Sequence, residues 1–373
     1  MEGCPTFGES GSEGRGPRGR VALMQQLCAG TLGRTHVLDD RIFSCMLCGA
    51  CNGRCPAGIP ITGAIYAGRA TLRSKPGEQD MSVTILRHAF NHSAQAFRLL
   101  RALQGLVGSR LFQSLPAARA FRSMNISLPA RSLRDEASVF KVPNARGRVA
   151  LFAGCTTDYL FPHLGRPLIE SLRALRYDVI MPRGESCCGA PLLSLGFRKD
   201  AAALAEKNLN LYKKLHVEAV ISLCPTCIYF LRDEYRNLVG EGIEYALDDA
   251  AFFTRHAGAM RPYASDGPAV YHAPCHTRHH LKSDDAALKL LALSGRELIA
   301  AEPGCCGFGG AFAVRYTEMS SALLEKRLAQ FRTAHSIITS CPNCMLHFRS
   351  VCGQTGLRHT IEIIHQALTG AKR

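Results

Sequence analysis

Residues 218–227 read EAVISLCPTC and residues 335–344 read HSIITSCPNC. In both, a short apolar run rich in β-branched residues ends at a Cys-Pro-x-Cys. Such a run, bounded by a turn signal, predicts a buried strand. Proline fixes φ and suits the first turn of a helix, so the change from strand to helix falls at the first cysteine. Both thiols of each motif then lie at a helix N-terminus, which favours thiolate.

The rest of the pattern repeats as well. Cys155, Cys187, Cys188, Cys224 and Cys227 recur as Cys275, Cys305, Cys306, Cys341 and Cys344, at offsets of 120, 118, 118, 117 and 117. A near-constant offset over five positions marks a duplicated unit. In each copy another strand runs into the first cysteine: RVALFA (148–153) before Gly154 and Cys155, PAVYHA (268–273) before Pro274 and Cys275. Short apolar runs alternating with helical stretches after Arg148 predict parallel sheets, whose carboxyl ends would gather the cysteines on one side.

Each copy also holds adjacent cysteines followed by glycine, ESCCGA (185–190) and PGCCGF (303–308). Neighbouring side chains in extended backbone point to opposite faces, so turning both thiols toward one site requires a bend. Gly189 and Gly307 permit it through positive φ and count as site residues. Five thiols exceed the four that a cubane or a zinc ion needs, so each set has one ligand to spare or holds something larger. A dithiol redox pair at each Cys-Pro-x-Cys would leave three cysteines of each copy unexplained.

Near the start, CMLCGACNGRCP (45–56) places Cys45, Cys48, Cys51 and Cys55 in the spacing of a bacterial ferredoxin run closed by proline. Zinc sites more often use two separated pairs. In two-cluster ferredoxins the last cysteine of a run ligates the other cluster. Cys4, itself followed by Pro5, therefore competes with Cys55 for the fourth place. On that reading Cys4 ends a first motif whose upstream cysteines are absent, and both assignments stay open.

The predicted fold class is α/β. An α-helical ferredoxin-like [4Fe-4S] domain covers 1–80, a basic helical connector 81–146, and two tandem α/β cysteine-rich units 147–260 and 261–373. The connector mixes Leu, Phe and Ala with Arg at helical spacing from Ile85 to Ser123, as expected of helices docked on the larger domain or presented to a partner or an anionic bilayer.

Composition agrees with a globular chain: 373 residues, 47% hydrophobic and 20% charged. The net charge of +15 treats every Cys as neutral, whereas ligating thiolates are anionic, so it argues only weakly for nucleic acid, and none is expected as a partner. No secretory pattern and no apolar run of 18 residues is present, so seventeen cysteines point to metal or redox chemistry in a reducing cytoplasm. Cys28 and Cys352 have no ligand spacing and are expected to be buried small side chains. His272, His276, His279 and His280 crowd Cys275 and are expected to be solvated loop residues. The glycines 307, 309 and 310 form no G-x-G-x-x-G after a strand, which excludes a nucleotide loop.

The two CCG sets, each with an upstream Cys and a downstream C-P-x-C, resemble the cysteine-rich domain of heterodisulfide reductase subunits B and D. The glycolate oxidase iron-sulfur subunit, lactate-utilisation iron-sulfur proteins and a component of anaerobic glycerol-3-phosphate dehydrogenase share it. The ferredoxin run ahead of two such domains, GPRGRVALMQQL (16–27) and LRHTIEIIHQAL (357–368) narrow the resemblance to the glycolate oxidase type. It implies a ferredoxin-type [4Fe-4S] cluster and one or two further clusters, noncubane as in heterodisulfide reductases, in the CCG domains. It also implies an oxidoreductase subunit that relays electrons from the FAD of a 2-hydroxy acid dehydrogenase to a quinone or other carrier. Such a subunit is inactive on substrate without its flavoprotein, and is cytoplasmic or peripheral on the inner face of the membrane. The alternative is a heterodisulfide reductase-like subunit acting on disulfides at a noncubane cluster.

Overall fold

The computed structural model describes residues 3–74, 81–104, 128–263, 267–353 and 356–371. The predicted strands form where the apolar runs place them: β2 Gly147–Leu151, β4 Ala219–Ser222, β6 Ala269–His272 and β8 Ser336–Thr339. They are joined by β1 Val139–Phe140, β3 Tyr177–Ile180, β5 Ala246–Asp248, β7 Leu298–Ile299 and β9 Leu357–His359. Two sheets result, ordered β1-β3-β2-β4-β5 and β7-β6-β8-β9. The pairings β3-β2-β4-β5 and β7-β6-β8-β9 are all parallel, so the second sheet repeats the first. Every residue of β4 and β6 is buried, as expected of parallel strands covered on both faces.

The first sheet has an extra edge strand. β1, which belongs to the chain leading out of the connector, pairs antiparallel with β3. Of the connector helices, Met81–Asn91 and Ser93–Leu103 are described and residues 105–127 lie outside the described part. These helices dock on the first unit: Val83 is buried, Arg87 pairs with Asp200 at 2.7 Å, and Phe97 stacks on Tyr159 at 4.4 Å. Met81, Ile85, Leu99 and Leu100 remain exposed on them.

The two units pack reciprocally. Helix Pro162–Ala174 of the first lies against Thr360–Thr369 of the second, and Asp249–Thr254 of the first against Asp284–Leu293 of the second. Helix Pro225–Tyr229 meets the π-helical turn Thr277–Leu281, while Pro342–Cys352 meets Gly154–Tyr159. Each contact is the other's counterpart under the repeat, as across a two-fold axis. One apolar core runs through both units, with Leu164, Leu168, Leu172 and Ile221 on one side and Leu290, Leu291, Ile361 and Ile364 on the other.

At the seam Asp249 and His359 are both fully buried. The Thr360 hydroxyl donates to Asp249 Oδ2 at 3.0 Å, and His359 Nδ1 stands 3.8 Å from the same oxygen. Burial pushes Asp249 up to about 8 and His359 down to about 3. The N-terminal helices Pro17–Cys28, His36–Phe43 and Ile61–Ser74 share a core with the outer face of the first unit, where Ile65, Tyr66 and Leu72 join Leu192, Leu193 and Phe230.

Candidate metal centres

Every predicted strand hands its chain to a cysteine at its carboxyl end. Helix Pro225–Tyr229 starts directly after Cys224, and Pro342–Cys352 directly after Cys341, each with proline in the first turn. Gly189 and Gly307 take φ of +90° and +87°, the left-handed bend that the adjacent thiols require. A Cβ on Gly307 would sit 2.6 Å from the Ser320 carbonyl oxygen, so only glycine fits there.

The turns bring the thiols into a continuous row. In the first unit contacts run from Cys155 to Cys187, Cys188, Cys227 and Cys224. In the second they run from Cys275 to Cys305, Cys306, Cys344 and Cys341, with Cys306 Sγ 3.3 Å from Cys344 Sγ. Cys224 touches Cys341 and joins the two sets. All seventeen cysteines are free of disulfides. Contacts from the Cys187 and Cys227 thiols hold Cys188 down at about 6, and the Cys305 contact likewise lowers Cys275.

Across the seam the Thr156 hydroxyl donates to Asn343 Oδ1 at 2.7 Å, and Thr226 Oγ1 lies 3.3 Å from His276 Nδ1, again as counterparts. The Asn343 amide reaches Cys224 Sγ at 3.5 Å. Each unit thus supplies side chains to the other's site.

The ferredoxin-type loop makes a third centre. Cys4, Cys45, Cys48 and Cys51 line one cavity together with Thr6, Arg20 and Ile65. Cys55 is partly buried behind the 3-10 turn Asn52–Arg54 and does not line it. The structure therefore brings Cys4, and not Cys55, to the other three. Leu47 and Gly49 have φ of +57° and +79°, an alternation that turns backbone N–H groups inward. Leu47 N–H donates to Cys45 Sγ at 3.4 Å. Burial pushes the Cys51 thiol up to about 12.

The donor set fits iron-sulfur clusters. Two buried arginines stand beside these thiols, and among the described residues neither has a carboxylate partner. Arg20 bonds to the Arg41 carbonyl at 2.8 Å and to Thr6 and Ser44 hydroxyls at 3.1 Å. Arg69 bonds to the carbonyls of Ile42, Phe43 and Cys45 and, across the domain boundary, to that of Ser194 at 2.7 Å. Burial lowers Arg69 to about 10. A buried cation needs a counter-charge, and anionic thiolate-held clusters supply one.

This loop rests on the second unit. Met46 Sδ lies 3.9 Å from Cys305 Sγ, the charge of Cys275 reaches Cys48, and Gly49 packs so closely on the His280 ring that a Cβ would meet Nε2 at 2.3 Å.

Two sequence expectations are corrected. The histidines near Cys275 are not solvated: His272 ends β6 fully buried, and His276 and His280 stack on each other with centroids 5.0 Å apart, inside the seam. His276, His279 and His280 are each partly buried, and of these His279 alone has no ring contact among the described residues. Cys28 and Cys352 are exposed rather than buried, because each falls on the last residue of a helix, Pro17–Cys28 and Pro342–Cys352. The sequence reading missed Arg20, Arg69 and Asn343, and polar residues inside a buried helical face were the available signal.

Comparison with known proteins gives a consistent result. The chain matches the model of the 4Fe-4S dicluster domain over residues 1–59 and that of the cysteine-rich (CCG) domain twice, over 149–232 and 269–349. It is 26% identical to the probable glycolate oxidase iron-sulfur subunit of Bacillus subtilis, covering 98% of this chain and 90% of the relative. It is 25% identical to the glycolate oxidase iron-sulfur subunit of Escherichia coli, covering 98% and 91%. Lactate utilization protein A 2 of Bacillus cereus is 26% identical over 60% of this chain and 98% of the relative.

Proposed function

Because the chain belongs to the iron-sulfur proteins that join a 4Fe-4S dicluster domain to two cysteine-rich domains, we propose that it relays electrons for a flavin-dependent dehydrogenase of 2-hydroxy acids such as glycolate or lactate. Electrons would pass from FAD on the partner subunit to a quinone or another carrier. The observation that carries this reading is the unbroken succession of three thiol centres. The cavity of Cys4, Cys45, Cys48 and Cys51 abuts Cys275 and Cys305, and the two sets of five meet at Cys224 and Cys341.

In this reading Cys4, Cys45, Cys48 and Cys51 hold a [4Fe-4S] cluster, and each five-cysteine set holds a larger, noncubane one. Clusters of this kind, when bound, supply one-electron storage. The chain does the rest: buried thiols keep water out, Arg20 and Arg69 offset negative charge, and the Thr156–Asn343 bond fixes one set against the other. Burial and short gaps favour rapid tunnelling without large solvent reorganisation. No helix among the described residues is long and apolar enough to cross a membrane. The exposed Met81, Ile85, Leu99 and Leu100 support a peripheral contact with the flavoprotein or the inner face of the membrane.

The test is anaerobic purification followed by iron and sulfide analysis and mixing with a glycolate- or lactate-oxidising flavoprotein. A brown protein whose electron paramagnetic resonance (EPR) signals appear on substrate addition only when the flavoprotein is present is expected. A colourless zinc protein would overturn the reading, and disulfide reduction by the chain alone with an artificial donor would replace it with the heterodisulfide reductase-like one.

A further inference from the structure

The two cysteine-rich sites have matching thiols but unlike surroundings. Strand register aligns β2 with β6: Val149 pairs with Ala219 as Ala269 pairs with Ser336, and the repeat then sets Phe152 opposite His272. Both residues are fully buried. In the first unit a Cβ on Gly154 would meet Cys227 Sγ at 3.0 Å and the Phe152 ring at 3.6 Å. In the second, a ring nitrogen of His272 and the sulfurs of Cys306 and Cys344 lie within 4.8 Å of one another.

Such a grouping resembles a metal site, but Arg327 argues against ligation by the histidine. Its Nε donates to His272 Nδ1 at 3.1 Å. Guanidinium has no acceptor, so Nδ1 must offer its lone pair and the neutral ring carries its proton on Nε2. Metal-bound histidine shows the opposite arrangement, with its second nitrogen donating to an acceptor. Nε2 is buried, has no hydrogen-bond partner among the described residues, and is the nitrogen left to meet the sulfurs. Arg327 is itself fixed by the Glu302 carbonyl and by Gln330 Oε1 at 2.7 Å.

The remaining neighbours differ in the same sense. His347 lies with Nδ1 2.8 Å from the Cys306 carbonyl oxygen, whereas the repeat places Phe230 in the first unit. Near Cys187 the first unit buries two carboxylates, Glu185 and Asp158, against the single cation Arg134. Proline 303 stands where Glu185 would recur.

We propose that His272, held in its Nε2–H tautomer by Arg327, donates a hydrogen bond to the Cys306 sulfur and sets the second cysteine-rich site at a higher reduction potential than the first. Hydrogen bonds to ligand sulfur and nearby positive charge both stabilise the reduced, more negative state of a cluster. Of the two sites, the second then fills first. The inference rests on both sets holding clusters, as proposed above.

The test is an EPR-monitored redox titration of the anaerobic full-length holoprotein, with iron and sulfide counted for each variant. The second site's signal is assigned by its loss in Cys306→Ala. His272→Phe, which copies the first unit, is expected to keep wild-type iron and to move that signal alone to lower potential. His272→Gln, which retains a donor, should shift it less. Arg327→Met should move it the same way as His272→Phe, because the tautomer is no longer fixed. Full iron with an unmoved signal in His272→Phe and Arg327→Met would overturn the inference alone. Loss of second-site iron in both His272→Phe and His272→Gln would overturn it too, since His272 would then be a ligand. Wild-type protein without iron would instead remove the reading on which it rests, and the inference with it.

Discussion

Cys4 reaches the ferredoxin-type cavity because the helix Pro5–Ser10 begins directly behind it, with Thr6 hydrogen-bonded to the Arg15 carbonyl at 2.8 Å. Cys55 follows a 3-10 turn in extended backbone and leaves the cavity. Cys4→Ser is therefore expected to remove the iron of that site, whereas Cys55→Ser keeps it; metal analysis with EPR distinguishes the two. Spacing alone kept both candidates, since a motif gives the order of cysteines along the chain and not where a loop turns. The same limit applies to the histidines. The run PAVYHA already carries His272 to the end of β6, but nothing in the run shows that its ring is buried against the thiols of the second unit.

At the scale of elements, Arg69 ties the helix Ile61–Ser74 both to the ferredoxin-type loop and to the helix Ala190–Ser194 of the first unit. Arg69→Met would leave buried carbonyls without a donor, each costing about 1–3 kcal/mol. A loss of at least about 3 kcal/mol in anaerobic urea unfolding is expected, with earlier release of the ferredoxin-type cluster. Strands and the helices that follow them were legible, because β-branched runs and Cys-Pro steps are local signals. The edge strand β1 was not, as two residues carry no period and its place comes from pairing with β3.

For the whole molecule, the seam between the units carries a pH signature. Asp249 sits near 8 when folded, against an unfolded value of about 3.9, so the folded chain keeps a proton that the unfolded chain has lost. Stability from this group falls as pH rises from about 4 to about 8. His359, held near 3 against about 6.5 unfolded, acts in the other direction: its contribution falls as pH drops below about 6.5. Of this pair only Asp249 still titrates above pH 6.5, and Asp249→Asn is expected to flatten the decline between about pH 6.5 and 8 in denaturation curves of the holoprotein. A steepened decline would contradict it. Neither residue announced itself in the sequence, since a repeat fixes which positions correspond but not which faces meet.

The reciprocal helix pairs of that seam have a historical meaning. They are the contacts two identical subunits make across a two-fold axis. A lone ancestral unit would have covered the same apolar face with a second copy of itself, and symmetry would have forced both of its sites to be alike. Within one chain that constraint is absent. Each position is free to differ from its twin, and a histidine and a phenylalanine occupy corresponding places beside corresponding thiols.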